Sequence, residues 1–292
     1  MKEWVSPIDK KFHFVWIGNQ EKPDYFLLFL ERFKELCPEF KIKVWGNSNL
    51  NKKNFPITYP YIKKIRKLQG GPVRGWSSGS FINDSKGESL IYSKWAQITD
   101  LMRLEIIYTH GGYYFDTNIE CLKPLFDLLN IPKKRFVGCN ESTYPFKKIS
   151  YLSNSFFGAT KNNIILKRLL SKRRLNNIDY YWMKPNETTG PYYLRSGIQM
   201  KDNYHIFPSE YFYPFVEFET DGRKVMPNKC HSHKRNIKRT IKKNRRKRTI
   251  SKSYKTNKSL KLKNKKGYLY FPCDKYPKSY ALKHWNLGKS WL

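Results

Sequence analysis

No stretch of this 292-residue chain is apolar enough to enter a bilayer. The longest apolar run, Tyr25 to Leu30, is far short of the ~20 residues a spanning helix needs. The segment MKEWVSPIDKK at the start is charged and has no apolar leader core. These absences predict a soluble or peripheral protein of the cytoplasm, with no transmembrane segment. Cysteine is also scarce. Cys37, Cys121, Cys139, Cys230 and Cys273 are odd in number, widely spaced and free of any Cys-x-x-Cys, which argues against a disulfide framework and predicts reduced, buried thiols. Cys230, His231 and His233 lie close together but lack the second ligand pair of a usual zinc site. Acidic residues are few: 23 Asp and Glu face 57 Lys and Arg, for a formal net charge of +34. There is no internal repeat. No helix-turn-helix, RRM or zinc-finger pattern supports a nucleic-acid reading of that charge.

Aromatic residues are plentiful. Eight Trp, 21 Tyr and 19 Phe can fill a sizeable core, since each ring buries a large area. The charge is unevenly spread. Residues 229–266 carry 18 Lys and Arg and no Asp or Glu, leaving +16 for the other 254 residues. Such a low-complexity basic run has little apolar surface to bury and is expected to be a disordered insertion, suited to non-specific polyanion contact. The basic remainder suits an anionic ligand such as a nucleoside diphosphate. Three segments follow: a core over 1–228, the insertion over 229–266, and an aromatic segment over 267–292 that returns to the core.

The hydrophobic pattern predicts an α/β fold. KFHFVWI at 11–17 reads as a strand. Asp24 reads as the N-cap of a helix that Cys37-Pro38 closes, and Lys41 to Trp45 as a second strand. This strand–helix–strand unit implies a parallel first sheet. Pro56, Pro60, Pro72, Gly70-Gly71 and WSSGS mark Lys52 to Ser89 as loops. A helix is expected from about Tyr92 to Thr109, capped by Gly111-Gly112, followed by a strand over Tyr113 to Asp116. Further on, Leu122 to Leu129 reads as a helix, and Phe136 to Cys139 and Asn154 to Ala159 as strands. Asn162 to Leu170 reads as a helix ending in the basic KRR, and Tyr204 to Pro208 as a strand.

The chemistry-bearing residues gather around Ala96 to Pro124. On an extended backbone, Asp116 and Asn118 would point to one side at a strand's end, where open α/β sheets bind ligands. Their oxygens suit a hard cation such as Mg²⁺ or Mn²⁺ beside phosphates. The same residues are equally at home in a turn. Asp100 and Arg103 share a helix face; they are either an ordinary surface ion pair or a pair offered to sugar hydroxyls. Trp16 is either a core residue or a platform for a nucleobase. His284 either ligates a metal or packs.

Taken together, these segments resemble glycosyltransferase family 32, whose signature is a DxD sugar-binding region. The residues that carry the resemblance are HFVWIG at 13–18, TDLMRLEIIYTHGGYYFDTNIECLKPL at 99–125, FVGCNE at 136–141, TTGPYYL at 188–194, IFPSEYFYP at 206–214 and HWNLGKSW at 284–291. It covers most of the chain outside 52–90 and 229–266. It implies a GT-A-like single domain with a mostly parallel central sheet flanked by helices. It further implies retaining transfer of a hexose-type sugar from a UDP- or GDP-sugar to a glycan, lipid or protein acceptor, assisted by Mn²⁺ or Mg²⁺. Trp16 would lie against the donor's base, and Asp100 and Arg103 against its sugar. Asp116 would be the first acid of the motif, touching ribose and metal. His284, or groups near Ser290 and Trp291, would close the site over metal and diphosphate. Thr189-Gly190-Pro191 would line the sugar and acceptor side. Asn118 departs from the pattern, standing where the family has a second Asp that binds the metal directly, which leaves three alternatives: a weaker metal site, metal-independent catalysis aided by basic residues, or a catalytically weak or inactive sugar-binding relative. The Lys-, Asn-, Ile- and Tyr-rich composition fits an AT-rich genome such as that of a large DNA virus.

Overall fold

A computed structural model of the chain describes residues 3–18, 20–68, 88–142, 150–180, 185–213 and 278–283; the side chains of 88–93, 142, 150 and 151 are not described. The basic run at 229–266 therefore lies outside the described residues, as do His284, Ser290 and Trp291.

A six-stranded mixed sheet forms the centre. Its strands are β1 (Lys11–Val15), β2 (Lys41–Trp45), β3 (Gly112–Phe115), β5 (Phe136–Ser142), β6 (Ser150–Ala159) and β7 (Tyr204–Phe207), in the order β2-β1-β3-β6-β5-β7. β1 pairs in parallel with β2 and β3, and β5 with β7; β6 runs antiparallel to β3 and β5. A second, two-stranded sheet joins β4 (Ile119–Cys121) to β8 (Ala281–Lys283), antiparallel. The helices are α1 (Asp24–Leu36), α2 (Tyr59–Arg66), α3 (Glu88–His110), α4 (Phe126–Leu129), α5 (Ile164–Leu169), α6 (Lys172–Asn176), α7 (Pro185–Thr188) and α8 (Pro191–Ser196). The expected architecture, a mostly parallel sheet flanked by helices, is the observed one.

Strand alternation builds two cores, one per sheet face. Tyr114, Phe136 and Phe157 point into a cluster with α2, α3, α5 and α6. Phe12, Phe14, Phe115 and Phe156 point into the other, against α1, α4 and β8. The second face is densely aromatic: Phe12 stacks on Phe40 at 4.2 Å and Phe156 on Phe212 at 4.0 Å between ring centroids.

α3 is buried nearly all round, polar residues included: Gln97, Thr99, Asp100, Arg103 and Glu105 are each at most 6% exposed. A helix threaded between layers must satisfy such groups inside the protein. Glu105 does so by accepting the Ile57 and Thr58 amides at 2.8 Å each, which anchors the start of α2. The turn after α3 needs glycine. Gly111 and Gly112 have φ of +65° and +91°, and a Cβ on Gly112 would lie 2.6 Å from the Lys11 carbonyl oxygen.

Several local expectations are corrected. α2 lies inside the stretch read as loop, because Ile62 and Ile65 provide a buried edge despite the prolines around them. Pro23, not Asp24, caps α1, and Asp24 sits in the first turn. The basic KRR at 172–174 opens a separate helix, α6, after Ser171 rather than ending α5. The strand that ends the 112–115 segment gives way to a tight turn: the Ile119 amide donates to the Asp116 carbonyl at 3.1 Å. Asp116 and Asn118 are thus placed by a turn and not by a continuing pleat. The turn leads directly into β4, which local pattern did not reveal.

Candidate active site

Asp116 follows β3 at the carboxyl-terminal end of that strand, beside parallel β1. Its amide donates to the Ser155 carbonyl at 2.8 Å, which ties the turn to β6. Its Oδ1 accepts the Tyr114 hydroxyl at 2.8 Å, from two residues back on β3. The Asp116 side chain is 23% exposed, so this carboxylate opens to solvent while its neighbours do not.

Arg103 links this carboxylate to α3. Its Nη1 lies 3.2 Å from Asp116 Oδ1 and its Nη2 3.3 Å from Asp100 Oδ1. Nη1 also donates to the Asn154 carbonyl at 2.7 Å, and the guanidinium lies 4.5 Å from the centre of the Tyr114 ring. Burial works against the guanidinium's charge, but Asp116, Tyr114 and Asp100 outweigh it and hold its pKa above the usual range. The Asp100–Arg103 pair is therefore a buried one. Both oxygens of Asp100 are engaged. Asn154 Nδ2 donates to Oδ1 at 2.8 Å and Thr189 Oγ1 to Oδ2 at 2.7 Å. Burial raises the Asp100 pKa to about 6, against the opposing pull of Arg103 and these hydrogen bonds.

The remaining expected residues fall as follows. Gly190 precedes α8, and its amide bonds to the Pro185 carbonyl at 2.8 Å. A Cβ there would lie 2.9 Å from that oxygen and 3.4 Å from Asn154 Nδ2, so a bare backbone is required beside Asp100's partner. Trp16 is 6% exposed, stacks on Phe26 at 5.9 Å and donates its indole N–H to the Gln20 carbonyl at 3.0 Å. Asn118 is buried at 5% exposure one residue before β4. Two contributors were not anticipated. Asn154 lies in SYLSNSFFGA, where a single Asn among serines and aromatics hardly announces a site. Lys283 ends β8 with its Nζ 3.6 Å from Asp116 Oδ2; its signal was its place immediately before the HWNLGKSW segment.

Asp116 itself offers hard oxygens, the chemistry that suits Mg²⁺ or Mn²⁺, and its charged neighbours are the cations of Arg103 and Lys283. Among the described residues, no three His, Cys, Asp or Glu side chains gather as a metal cage.

Residues 23–137 match the family model described as "Glycosyltransferase sugar-binding region containing DXD motif", and the match includes Asp100, Arg103, Asp116 and Asn118. It supports a glycosyltransferase, a class whose DXD members generally use a divalent metal. A relative, "Subversion of eukaryotic traffic protein A" of Legionella pneumophila, is 26% identical over 167 residues, covering 56% of this chain and 24% of the relative. The chain thus spans about a quarter of that protein's length. Among solved structures, PaToxG glycosyltransferase overlaps with a TM-score of 0.42 at 18% identity, covering 66% of this chain and 69% of that one. An active-site mutant of LgtC overlaps at 0.35 and 12%, covering 74% and 84%. These overlaps are too slight to transfer an activity. No helix among the described residues is long and apolar enough to cross a membrane.

Proposed function

We propose that this chain is a retaining glycosyltransferase that moves a hexose-type sugar from a UDP- or GDP-sugar to a glycan, lipid or protein acceptor. The observation that carries this reading is the Arg103 bridge between Asp100 and Asp116, inside the family-matched region and at the end of a parallel strand. Asp116 presents its partly open carboxylate to the donor's ribose. Asp100 and Arg103, fixed by Asn154 and Thr189, offer hydrogen bonds to sugar hydroxyls; such preorganised polar groups hold position without reorganising as charge develops. Trp16 is assigned to the base side, and Gly190 and Trp291 to the sugar and diphosphate side. Lys283 brings a cation to the same edge.

A divalent cation held by Asp116 and Asn118, with His284 on the segment that follows β8, would neutralise the departing diphosphate. Cleavage of the anomeric bond builds oxocarbenium character, and the acceptor hydroxyl enters from the leaving-group face, passing its proton to a phosphate oxygen. In domain terms, residues 1–228 form the donor-binding core and 267–292 return to it, in keeping with the β4–β8 pairing. Residues 229–266 supply polyanion contact, and the cytoplasm, a host's for a viral chain, is the place of action.

Calorimetry with a panel of UDP- and GDP-sugars, with and without Mn²⁺, tests the reading. Heat with one donor, and turnover abolished in Asp116→Ala while melting is cooperative, is the expected outcome. No heat with any donor under either condition would sink it.

A further inference from the structure

Two of the buried cysteines face each other. Cys37 caps the end of α1, and its amide donates to the Phe33 carbonyl at 3.0 Å. Cys121 is the last residue of β4. They are far apart in sequence, both have 0% exposure, and their sulfurs are 4.0 Å apart. The backbone holds each thiol from its other side. The Leu125 amide points at Cys37 Sγ from 3.4 Å, and Cys121 Sγ donates to the Lys123 carbonyl at 3.2 Å. Cys139 provides the contrast. It is equally buried, but its thiol points at the Asn140 and Pro208 carbonyls.

We infer that Cys37 and Cys121 form an oxidisable thiol pair, a modification site that a hydroperoxide converts to a disulfide. The roles within the pair are unequal. Cys37 Sγ receives the Leu125 amide, whereas the single Cys121 S–H is directed at the Lys123 carbonyl, and a donor aimed at sulfur favours the thiolate. Cys37 is therefore the attacking sulfur. Its thiolate takes one oxygen of the hydroperoxide and becomes a sulfenic acid, releasing hydroxide, or alkoxide, that is protonated by the Cys121 thiol. The Cys121 thiolate then attacks the sulfenic sulfur and expels hydroxide, which takes up a proton. For hydrogen peroxide, two thiols and one peroxide give one disulfide and two waters. Bonding requires the sulfurs to close from 4.0 Å to about 2.05 Å.

The bond would join the end of α1 to β4. That strand begins one residue after Asn118 and pairs with β8, which brings Lys283 to Asp116. Oxidation therefore braces the platform under the candidate site, independently of which substrate that site takes. Because both sulfurs are buried, the rate of oxidation follows local opening of the α1–β4 contact.

The test uses the full-length protein under native conditions. It is treated with hydrogen peroxide, its remaining thiols are alkylated, and it is digested without reductant for mass spectrometry. The expected result is a Cys37–Cys121 peptide pair lighter by two hydrogens, restored by dithiothreitol, and a melting temperature raised by about 5–15 °C for closure of so long a loop. Alkylation of both cysteines after peroxide, or a crosslink that forms only once urea has unfolded the chain, would overturn the inference. In Cys121→Ser, dimedone is expected to label Cys37. Absence of that adduct in a cooperatively melting variant would overturn Cys37 as the attacking sulfur.

Discussion

Lys283 Nζ lies 3.6 Å from Asp116 Oδ2, so the short strand near the end of the chain delivers a cation to the carboxylate that ends β3. Charge-assisted contacts of this kind are stronger than neutral ones. Lys283→Met is expected to weaken nucleoside diphosphate binding about tenfold, with Lys283→Arg closer to wild type. Titration calorimetry with UDP and GDP measures this; unchanged affinity in the Met variant would remove Lys283 from the donor site.

Asn154 and Thr189 each occupy an oxygen of Asp100. Losing either donor leaves a buried carboxylate underbonded, at a cost of about 1–3 kcal/mol. Asn154→Ala and Thr189→Val should each lower stability by that order, and the double variant should show non-additivity because both act on one group. Urea melts report it, and strict additivity would mean that the two contacts are independent.

Asp100 also sets a pH dependence. Both its oxygens accept hydrogen bonds, so the ionised form is the one the site is built around, and its pKa is raised to about 6 by burial. Donor affinity should fall as pH drops through about 6. In stability the sign is opposite: the folded state holds the proton more tightly than the unfolded one, so this group's contribution is fully present below its ordinary value of 3.8 and is lost as pH rises through about 6. An Asp100→Asn variant should lose both dependences.

His13 shows the reverse behaviour. Its Nδ1 accepts the Trp45 indole N–H at 3.2 Å, leaving Nε2 to donate to the Gly111 carbonyl at 3.0 Å, so the neutral ring is the one that fits. Burial lowers its pKa from 6.5 to about 3. The stability it provides is complete above 6.5 and is lost as pH falls toward 3, up to about 4 kcal/mol. Comparing urea melts of wild type and His13→Gln between pH 7 and pH 4 isolates it: the variant should lose less stability on acidification.

Asn118 stands where the resembled family has its second acid. Asn118→Asp should leave turnover equal or higher and tighten dependence on Mn²⁺, read from rates across a metal titration. A large fall in turnover with folding intact would contradict a ligand role at this position.

Much of the fold was legible in order along the chain. Aromatic and β-branched residues announced β1, β2 and β3, and Gly111-Gly112 announced the turn that ends α3, since few other residues accept that backbone. α2 was hidden because prolines and basic residues outweigh its two buried isoleucines over so short a span. β4 and β8 were hidden because three-residue strands carry no periodicity; their partners lie far away in sequence.

For the site, the sequence by itself determined the candidate residues: Asp100 and Arg103 one helical turn apart, and Asp116 beyond a glycine pair. Spacing along a helix is local, so the face they share follows from the residues between them. Only the tertiary structure decided that this face is buried, that Asn154 and Thr189 hold Asp100, and that Lys283 meets Asp116. Those outcomes depend on which strands pair and which layers close over α3, and pairing free energy is spread over the whole core rather than written in any one segment.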